Sequence, residues 1–452
     1  MRILFVAKDF IIEPLGIMYL SAALKQAGHH TDIVKADTED IEGTMKSFMP
    51  DIVGYSIITG AHVYFRDLNR ELKQKFNFIS IFGGPHATFF SEFINEDGVD
   101  AICVGEGEGA IVDLADRCRD RQDFTDIPNL WIKKNGKIFK NPVRPLADIN
   151  SIVFPDRGLV YDKYPKSYHN PIRGVTGSRG CPYNCTFCYN HHLKEIYQNQ
   201  HGGVYLRVRN VNNLIEEILE VKNQYPVKMF YFQDDNLGFR MDWLEEFSSK
   251  YKKLVNTPFH CNERADAINE RFAGLLREAG CTGVSMAIET ANDDLRNKIL
   301  KKNITKEQII SAARHIKKAG LYLRTYNILG IPHGSLKDDF ETLGLNIVCK
   351  ADMAWPTIYQ PYPRTELGDE VVKMGLYDGD FNRILETSYF GESPLKIPDR
   401  DKIKNLQKLF TITVSFPFLL PLTRILVNLP PHGFFEIIYS FWKQRLNKKI
   451  YI

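Results

Sequence analysis

The chain of 452 residues has almost no charge imbalance, 58 basic against 55 acidic side chains, and so lacks the electrostatic footprint of a nucleic-acid binder. It has no G-x-G-x-x-G turn between its first apolar run and first helical pattern, which argues against a dinucleotide fold. Met1-Arg2-Ile3-Leu4-Phe5-Val6 reads directly as a short apolar strand, without the basic region, long apolar core and small-residue cleavage site of a secretory signal, and a cytoplasmic location is expected. Cysteine is sparse, at eight residues. Cys103, Cys118, Cys261, Cys281 and Cys349 stand singly in apolar or helical stretches and read as small buried hydrophobes. That scatter argues against a disulfide framework and for a reducing compartment.

The other three cysteines cluster in Gly177-Ser178-Arg179-Gly180-Cys181-Pro182-Tyr183-Asn184-Cys185-Thr186-Phe187-Cys188-Tyr189, a C-x-x-x-C-x-x-C spacing. Thiolates are the ligands of iron–sulfur clusters. Three on one tight loop can clamp three corners of a cubane and leave the fourth iron open, and an open metal position is where chemistry happens. Pro182, Asn184 and the flanking glycines keep the segment from running on as a helix. Zinc is the competing reading, because His191 and His192 follow closely. Zinc sites more often show two C-x-x-C pairs or spaced histidines.

Around that loop the chain alternates strand and helix twice. In residues 1–140, β-branched runs at 31–34, 51–58, 78–82 and 101–104 alternate with amphipathic helices, the pattern of a doubly wound, Rossmann-like parallel sheet. The first helix carries Leu15, Met18, Tyr19 and Ala22 on one face, with Pro14 at its start and Gly28 at its stop. Ligands of such sheets bind beyond the carboxyl ends of the strands. The turns there are small: Thr59-Gly60, Gly83-Gly84-Pro85-His86-Ala87-Thr88 and Gly105-Glu106-Gly107-Glu108-Gly109. Glycine in such places admits a bulky ligand or simply makes a tight turn. Residues 141–169, rich in Pro, Asp and Tyr, read as a linker.

In residues 170–370, strands are expected at 172–176, 228–233, 259–262, 283–288, 323–329 and 357–360. Helices are expected at 211–225, 243–254, 270–279 and 307–319, the last with a Thr305/Gln308 capping box. Six such units make a partial (β/α)6 barrel of the TIM type, whose site lies in the loops after the strands. The cysteine loop follows the first strand. Later strand ends carry Asp234-Asp235, Arg264 with its planar fork, Glu289 and the Gly330-Ile331-Pro332 turn.

The cysteine spacing, with Phe187 and Tyr189 beside it, resembles the signature of the radical S-adenosylmethionine (SAM) enzymes. The small-residue turns of residues 1–140 resemble the cobalamin (B12)-binding domain carried by a large subgroup of them, so the resemblance covers nearly the whole chain. It implies a 4Fe-4S cluster on Cys181, Cys185 and Cys188 as metal ligands and catalytic residues. In that family the open iron chelates S-adenosylmethionine, and one-electron transfer cleaves it to a 5′-deoxyadenosyl radical. Phe187 and Tyr189 are then implied beside this cofactor, with the methionyl amine near Asp234 and Asp235, a carboxylate near Arg264, ribose near Glu289, and adenine over Gly330 and Pro332. Cobalamin is implied against Thr59, Gly83, Gly84, Pro85, His86, Gly105, Glu106, Gly107 and Glu108. Mutase-type cobalamin proteins carry D-x-H-x-x-G after the first strand, whereas Lys8-Asp9-Phe10-Ile11-Ile12-Glu13 has no histidine. Cobalamin without a protein histidine ligand is therefore expected, with His62 and His86 as turn histidines. Relatives usually have a glycine where Arg364 stands, and a cation there either recognises an anion or pairs with a surface acid.

Residues 371–452 read as a helical, partly apolar C-terminal region. The apolar run 409–422 approaches spanning length, yet Pro417, Pro421, Arg424 and Pro430-Pro431 interrupt it. Beyond it Phe435, Ile437, Ile438, Phe441 and Trp442 mix with Lys443, Arg445, Lys448 and Lys449, which suits a lid on the barrel or a peripheral membrane contact. Either favours a hydrophobic or amphiphilic small-molecule substrate. The resemblance implies methyl transfer to an unactivated carbon, with oxidative cyclisation or ring rearrangement as the alternative. It also implies a one-electron donor such as flavodoxin or ferredoxin. A methylthiotransferase is disfavoured, since those relatives place further cluster cysteines in their first domain. A reading of another class is a cobalamin- or redox-responsive iron–sulfur binding protein without turnover.

Overall fold

The apolar run after Met1 forms strand β1, Arg2–Ala7, in which Ile3, Leu4 and Val6 are wholly buried. Burial on both faces is what a central parallel strand requires. The computed structural model describes residues 1–8, 13–386 and 390–450, the side chains of 447–450 excepted. These divide into two compact units, Met1–Asn170 with His192–Arg207, and Pro171–His191 with Val208–Ile452.

In the first unit, β2 (His30–Lys35), β3 (Ile52–Ser56), β4 (Ile79–Gly83), β5 (Ala101–Cys103), β6 (Leu130–Lys134) and β7 (Lys137–Lys140) join β1 in one sheet of order β2-β1-β3-β4-β5-β6-β7. The first five strands are parallel. From β1 the chain turns to one side for β2 and then to the other for β3, so a topological switch point lies beside β1. The first helix is Leu15–Gln26, with Leu15, Met18, Tyr19 and Ala22 buried, and Gly28 ends it at φ +81°. The antiparallel hairpin β6–β7 was not expected. Its two-residue turn is Asn135-Gly136, both at positive φ, the geometry whose twist matches paired strands.

The stretch 141–169, expected as a linker lying across the surface, is tied to the first unit by side-chain pairs. Asp156 accepts from Ser21 Oγ at 2.5 Å and pairs with Lys25 at 2.7 Å. Arg157 meets Glu13 at 3.0 Å, Lys163 meets Asp32 at 2.8 Å, and the Tyr164 hydroxyl donates to Glu39 at 2.6 Å. These partners and the short helices Gly158–Tyr161 and Pro165–His169 explain why a stretch without hydrophobic period is nonetheless ordered.

The second unit holds six parallel strands, adjacent in chain order: Ile172–Val175, Met229–Phe232, Phe259–Glu263, Cys281–Glu289, Tyr322–Leu329 and Met353–Ile358. Helices Val211–Gln224, Met241–Lys250, Glu270–Ala279 and Lys306–Lys318 cover the outer face, where Phe230, Phe232, Phe247, Phe259 and Val284 share one core. The Thr305/Gln308 capping box is formed. The sixth strand begins four residues before the expected 357, because Pro356 lies within it. Proline is tolerated there because this is the sheet edge. Helix Arg400–Ser415 covers that edge strand, Gln407 donating to Pro356 O at 3.2 Å and Thr411 to Ala354 O at 2.8 Å. Leu446 of the last helix, Gly433–Ile450, packs on Met353. Among the described residues no helix is long and apolar enough to cross a membrane.

The turns after β3 and β4 close on each other. Gly84 has φ +90°, and a Cβ there would sit 2.8 Å from Ile57 O. Beyond it, buried His86 hydrogen-bonds Thr59 Oγ1 through Nδ1 at 2.9 Å and stacks on His62, with ring centroids 3.8 Å apart. Burial, and then the neighbouring His62, push the His86 pKa down to about 2.

Two outcomes are expected. Gly84→Ala lowers stability by about 1–3 kcal/mol through backbone strain, whereas Gly16→Ala, which meets nothing within 4 Å in a helix, is neutral or stabilising by up to about 1 kcal/mol. Thermal unfolding of the two variants side by side checks this. For His86 the folded pKa lies below the unfolded value, so its neutral form contributes stability that is fully present above about pH 6.5. That contribution is lost at about 1.4 kcal/mol per pH unit as pH falls towards 2. The gap in unfolding midpoint between wild type and His86→Phe should shrink on acidification; a constant gap would refute the assignment.

Candidate active site: the cysteine loop and its surroundings

The cysteine loop leaves the first barrel strand and is held by groups on four other segments. Asp234, 2% exposed, accepts from Gly177 N at 3.0 and 2.9 Å through its two oxygens and from the Ser178 hydroxyl. Its burial outweighs these hydrogen bonds and raises its pKa to about 6. Thr186 donates its hydroxyl to Ile299 O at 2.7 Å and its N–H to Leu300 O at 3.2 Å, and its carbonyl accepts from Leu367 N at 3.0 Å. The Tyr183 ring lies 3.4 Å under the Arg264 guanidinium. With Gly180 at φ +89°, these anchors force a compact turn.

The three thiols are half-buried and unpaired by disulfide. Burial is the largest cause that pushes Cys181 up to about 11 and Cys188 up to about 12, and it raises Cys185 as well; Cys188 also feels the other two sulfurs. Left without a cation, the set stays protonated. Iron supplies the cation that makes thiolates of them, so the donor set fits an iron–sulfur cluster. Asn190 Nδ2 lies 3.8 Å from Cys188 Sγ and Asn236 Nδ2 4.0 Å from Cys181 Sγ, donors of the kind that tune cluster sulfurs. Among the described residues no three His, Cys, Asp or Glu side chains converge as a single metal ion would need. A cubane gives each thiolate its own iron and needs no such convergence.

The rim residues are more committed than their sequence suggests. Arg264 forms a two-pronged pair with Asp266, at 3.0 and 3.1 Å, and donates to Lys302 O at 2.8 Å. Glu289 accepts from buried Lys302 at 2.7 Å. Asp234 is taken up by the loop backbone, which leaves Asp235 as the acid facing solvent; its carboxylate accepts from Asn190 at 2.8 Å. Asp235 is raised by desolvation although solvent reaches it, as for an acid in a protein-walled recess. Gly330, at φ +65°, receives the buried Asp339 carboxylate on its N–H at 3.2 Å and lies under Ile397 and Ile403; Pro332 is also buried. Tyr189 packs on Tyr362, with centroids 5.3 Å apart. Arg364 is exposed at φ +60°, so the backbone there has the left-handed form that a glycine takes most readily.

A cavity of about 170 Å³ opens beside the loop, lined by Phe187, Ile328, Thr357, Ile358, Tyr359, Gln360 and Tyr362. The buried Tyr359 hydroxyl and Gln360 Oε1 have no hydrogen-bond partner. Thr357, Tyr359 and Gln360 went unsingled in the sequence, because a polar residue at a strand end looks like any solvated one. Thr186, between two cysteines, and Lys302, well past the end of the fourth strand, carry no motif signal, since each acts through a tertiary contact.

At the carboxyl edge of the first unit's sheet, much of the glycine requirement comes from the chain itself. Gly84 is crowded by Ile57, and Gly105, at φ +82°, by the Tyr197 hydroxyl. Tyr197 accepts from Glu106 N at 2.9 Å. The Glu106 carboxylate pairs with Arg207, and Gly105 N donates to Thr88 Oγ1 at 3.2 Å. Gly83 ends β4, Pro85 starts a helical turn, and Gly107 precedes helix Glu108–Arg119. His62 and His86 are both buried, facing each other. The turn 9–12 after β1 lies outside the described residues. Placed at the switch point, this edge of small-residue turns suits a large flat ligand.

Comparison with known proteins agrees with both units. The B12 binding domain family matches residues 1–115, and the Radical SAM superfamily matches residues 175–344. The chain is 30% identical over 374 residues to the uncharacterized methyltransferase PH0819 of Pyrococcus horikoshii, covering 80% of this chain and 79% of that protein. It is 26% identical to the anaerobic magnesium-protoporphyrin IX monomethyl ester cyclase of Rubrivivax gelatinosus, over 79% of this chain and 67% of that one. In fold it is similar to the radical S-adenosylmethionine methyltransferase TsrM from Kitasatospora setae, with a TM-score of 0.70 at 15% identity over 82% of this chain and 78% of that one. A cluster-type cysteine loop on a six-stranded barrel, a B12-binding sheet and a relative at this identity together make the chain a member of the cobalamin-binding radical S-adenosylmethionine enzymes.

Proposed function

We propose that the protein transfers a methyl group to an unactivated carbon of a hydrophobic or amphiphilic small molecule. The observation that carries this reading is the joining in one chain of a B12-binding unit and a cluster-type cysteine loop, in a sequence similar to a methyltransferase. Bound, the cluster and S-adenosylmethionine supply a 5′-deoxyadenosyl radical, and cobalamin supplies the methyl group.

The chain's own residues then have distinct tasks. Cys181, Cys185 and Cys188 hold the cluster. Phe187, Ile328 and Tyr359 offer an apolar slot for adenine, and Gln360 Oε1 and the Tyr359 hydroxyl, unpartnered within the protein, read its polar edge. Asp235 receives the methionyl ammonium, since the oxygens of Asp234 hold the loop. Arg264 and Glu289 act as positioning residues through Tyr183 and Lys302. The small-residue turns at 59–60, 83–88 and 105–109 carry cobalamin, and the enclosed position of His62 and His86 supports cobalamin without a histidine ligand. An oxidative cyclase is the second reading, favoured by the similarity to a magnesium-protoporphyrin ester cyclase.

The core of the proposal is tested by anaerobic reconstitution with S-adenosylmethionine and a low-potential reductant. Formation of 5′-deoxyadenosine and retention of cobalamin through gel filtration are expected, and Cys185→Ala should abolish both the cluster absorbance and the product. A wild-type protein with a full cluster and no cleavage would sink the enzyme reading. The two reactions separate on label: methyl-deuterated S-adenosylmethionine should mark the product of a methyltransferase and leave that of a cyclase unmarked.

For Arg264 the readout is split. Arg264→Lys forfeits the stacked, two-pronged geometry and should cut cluster content several-fold. The KM for S-adenosylmethionine of the loaded fraction should not change. A raised KM at full cluster content would instead make Arg264 a direct carboxylate ligand.

A further inference from the structure

The C-terminal helix Gly433–Ile450 is apolar on two sides. Phe435, Tyr439 and Leu446, at i, i+4 and i+11, are buried against the rest of the unit. Phe434, Ile437 and Phe441, at i, i+3 and i+7, point away and are 57%, 69% and 64% exposed. A helix that is hydrophobic all round is ordinarily enclosed; this one is covered along one side among the described residues.

The preceding turns, Pro417–Leu419 and Leu420–Leu426, repeat the pattern. Phe418, Leu422 and Ile425 follow helical spacing and are 77%, 48% and 67% exposed. The two surfaces are joined. Phe416 lies 6.0 Å from the Phe418 ring and 5.1 Å from Trp442, whose indole N–H donates to Ser415 Oγ at 3.0 Å. The apolar ground is therefore continuous, and larger than the scattered exposed residues normal for a soluble surface.

Charge selects the occupant. Residues 416–452 contain five cations, Arg424, Lys443, Arg445, Lys448 and Lys449, against one acid, Glu436. That acid is neutralised by Lys408 at 2.9 Å. Lys443 is drawn inward over Trp355 and Phe390, at 4.2 and 4.1 Å, which leaves Arg424 and Arg445 exposed among the described side chains, with Lys448 and Lys449 following in the sequence. Two copies of such a surface would repel, whereas an acidic interface would attract it. We propose that this face docks on an anionic lipid bilayer, the aromatic and branched side chains entering the headgroup boundary and the cations meeting lipid phosphates. The proposal stands apart from the reaction assigned above; it concerns where the enzyme sits when it acts.

The test is flotation of the full-length, cluster-loaded protein with vesicles, read beside sedimentation velocity without lipid. Wild type should float with phosphatidylglycerol–phosphatidylcholine vesicles, more weakly at high salt, and poorly with phosphatidylcholine alone. The variant Ile425→Glu/Ile437→Glu/Phe441→Glu should bind about tenfold or more weakly while keeping its unfolding midpoint and its 5′-deoxyadenosine yield. Should that variant not fold, Ile425→Gln and Phe441→Gln made singly must each weaken flotation. Wild type that does not float overturns the proposal. A wild-type dimer split by the triple variant also overturns it, and assigns the face to a second copy of the chain.

Discussion

One buried carboxylate decides where the reactive loop can lie. The loop begins at Gly177, just past the end of the first barrel strand at Val175, and Ser178–Arg179 pairs in a separate two-stranded sheet, so the Gly177 N–H lies outside the barrel ladder. A buried amide without a partner costs about 1–3 kcal/mol, and Asp234 removes that cost at Gly177 while also taking the Ser178 hydroxyl. The arrangement has a cost of its own, visible in a pKa raised to about 6 by burial. The clamp accepts all its hydrogen bonds when the carboxylate is ionised, and burial moves the loss of that state up towards neutral pH.

From that clamp the rest of the site follows in layers. Thr186 ties the middle of the loop to residues 299, 300 and 367, and Arg264 presses on Tyr183 from above. These contacts are made by loop residues other than the cysteines, and the sulfurs meet N–H donors, among them those of Asn190, Asn236 and Arg264, which a metal-bound thiolate can keep. A cluster with one iron open to chemistry needs such a division, because ligands that move would let a fourth donor reach the open iron. Rigid anchoring of the spacer residues keeps that position available without spending thiolates on it.

The sequence disclosed elements wherever a single local rule governed them. Periodicity and caps located the first helix at Leu15–Gln26 and the capping box at Thr305, and strand-like apolar runs located five of the six barrel strands within a few residues. It failed where tertiary context took over. Pro356 displaced the expected start of the sixth strand, which tolerates proline because the helix Arg400–Ser415 and not another strand covers that edge. The hairpin β6–β7 was announced by Asn135-Gly136, a readable signal that the sequence reading did not use. At the site, the cysteines were legible because their spacing is rare. Arg264 and Glu289 were noticed as charged residues at strand ends, but their partners Asp266 and Lys302 are distant in role from anything a motif records. The glycines after β4 and β5 carried a double meaning, and at Gly84 and Gly105 the chain's own atoms require them.

Backbone conformation at the barrel mouth separates scaffold from function more sharply than residue type does. Strand four ends at Glu289 with φ +63°, strand five runs straight into Gly330 at +65°, and the loop after strand six holds Arg364 at +60°. The fold evidently needs a left-handed turn in each place. Glycine meets that need at no steric cost in the middle turn, under Ile397 and Ile403. Glutamate at 289 incurs strain of about 1–3 kcal/mol, and its buried ion pair with Lys302 is what that strain retains. Glu289 holds Lys302, whose carbonyl in turn holds Arg264 against the cysteine loop. Arg364 carries the same left-handed backbone two residues beyond Tyr362 of the cavity wall, with its side chain exposed, so residue type at this turn is set by more than backbone cost, which glycine would have kept lowest.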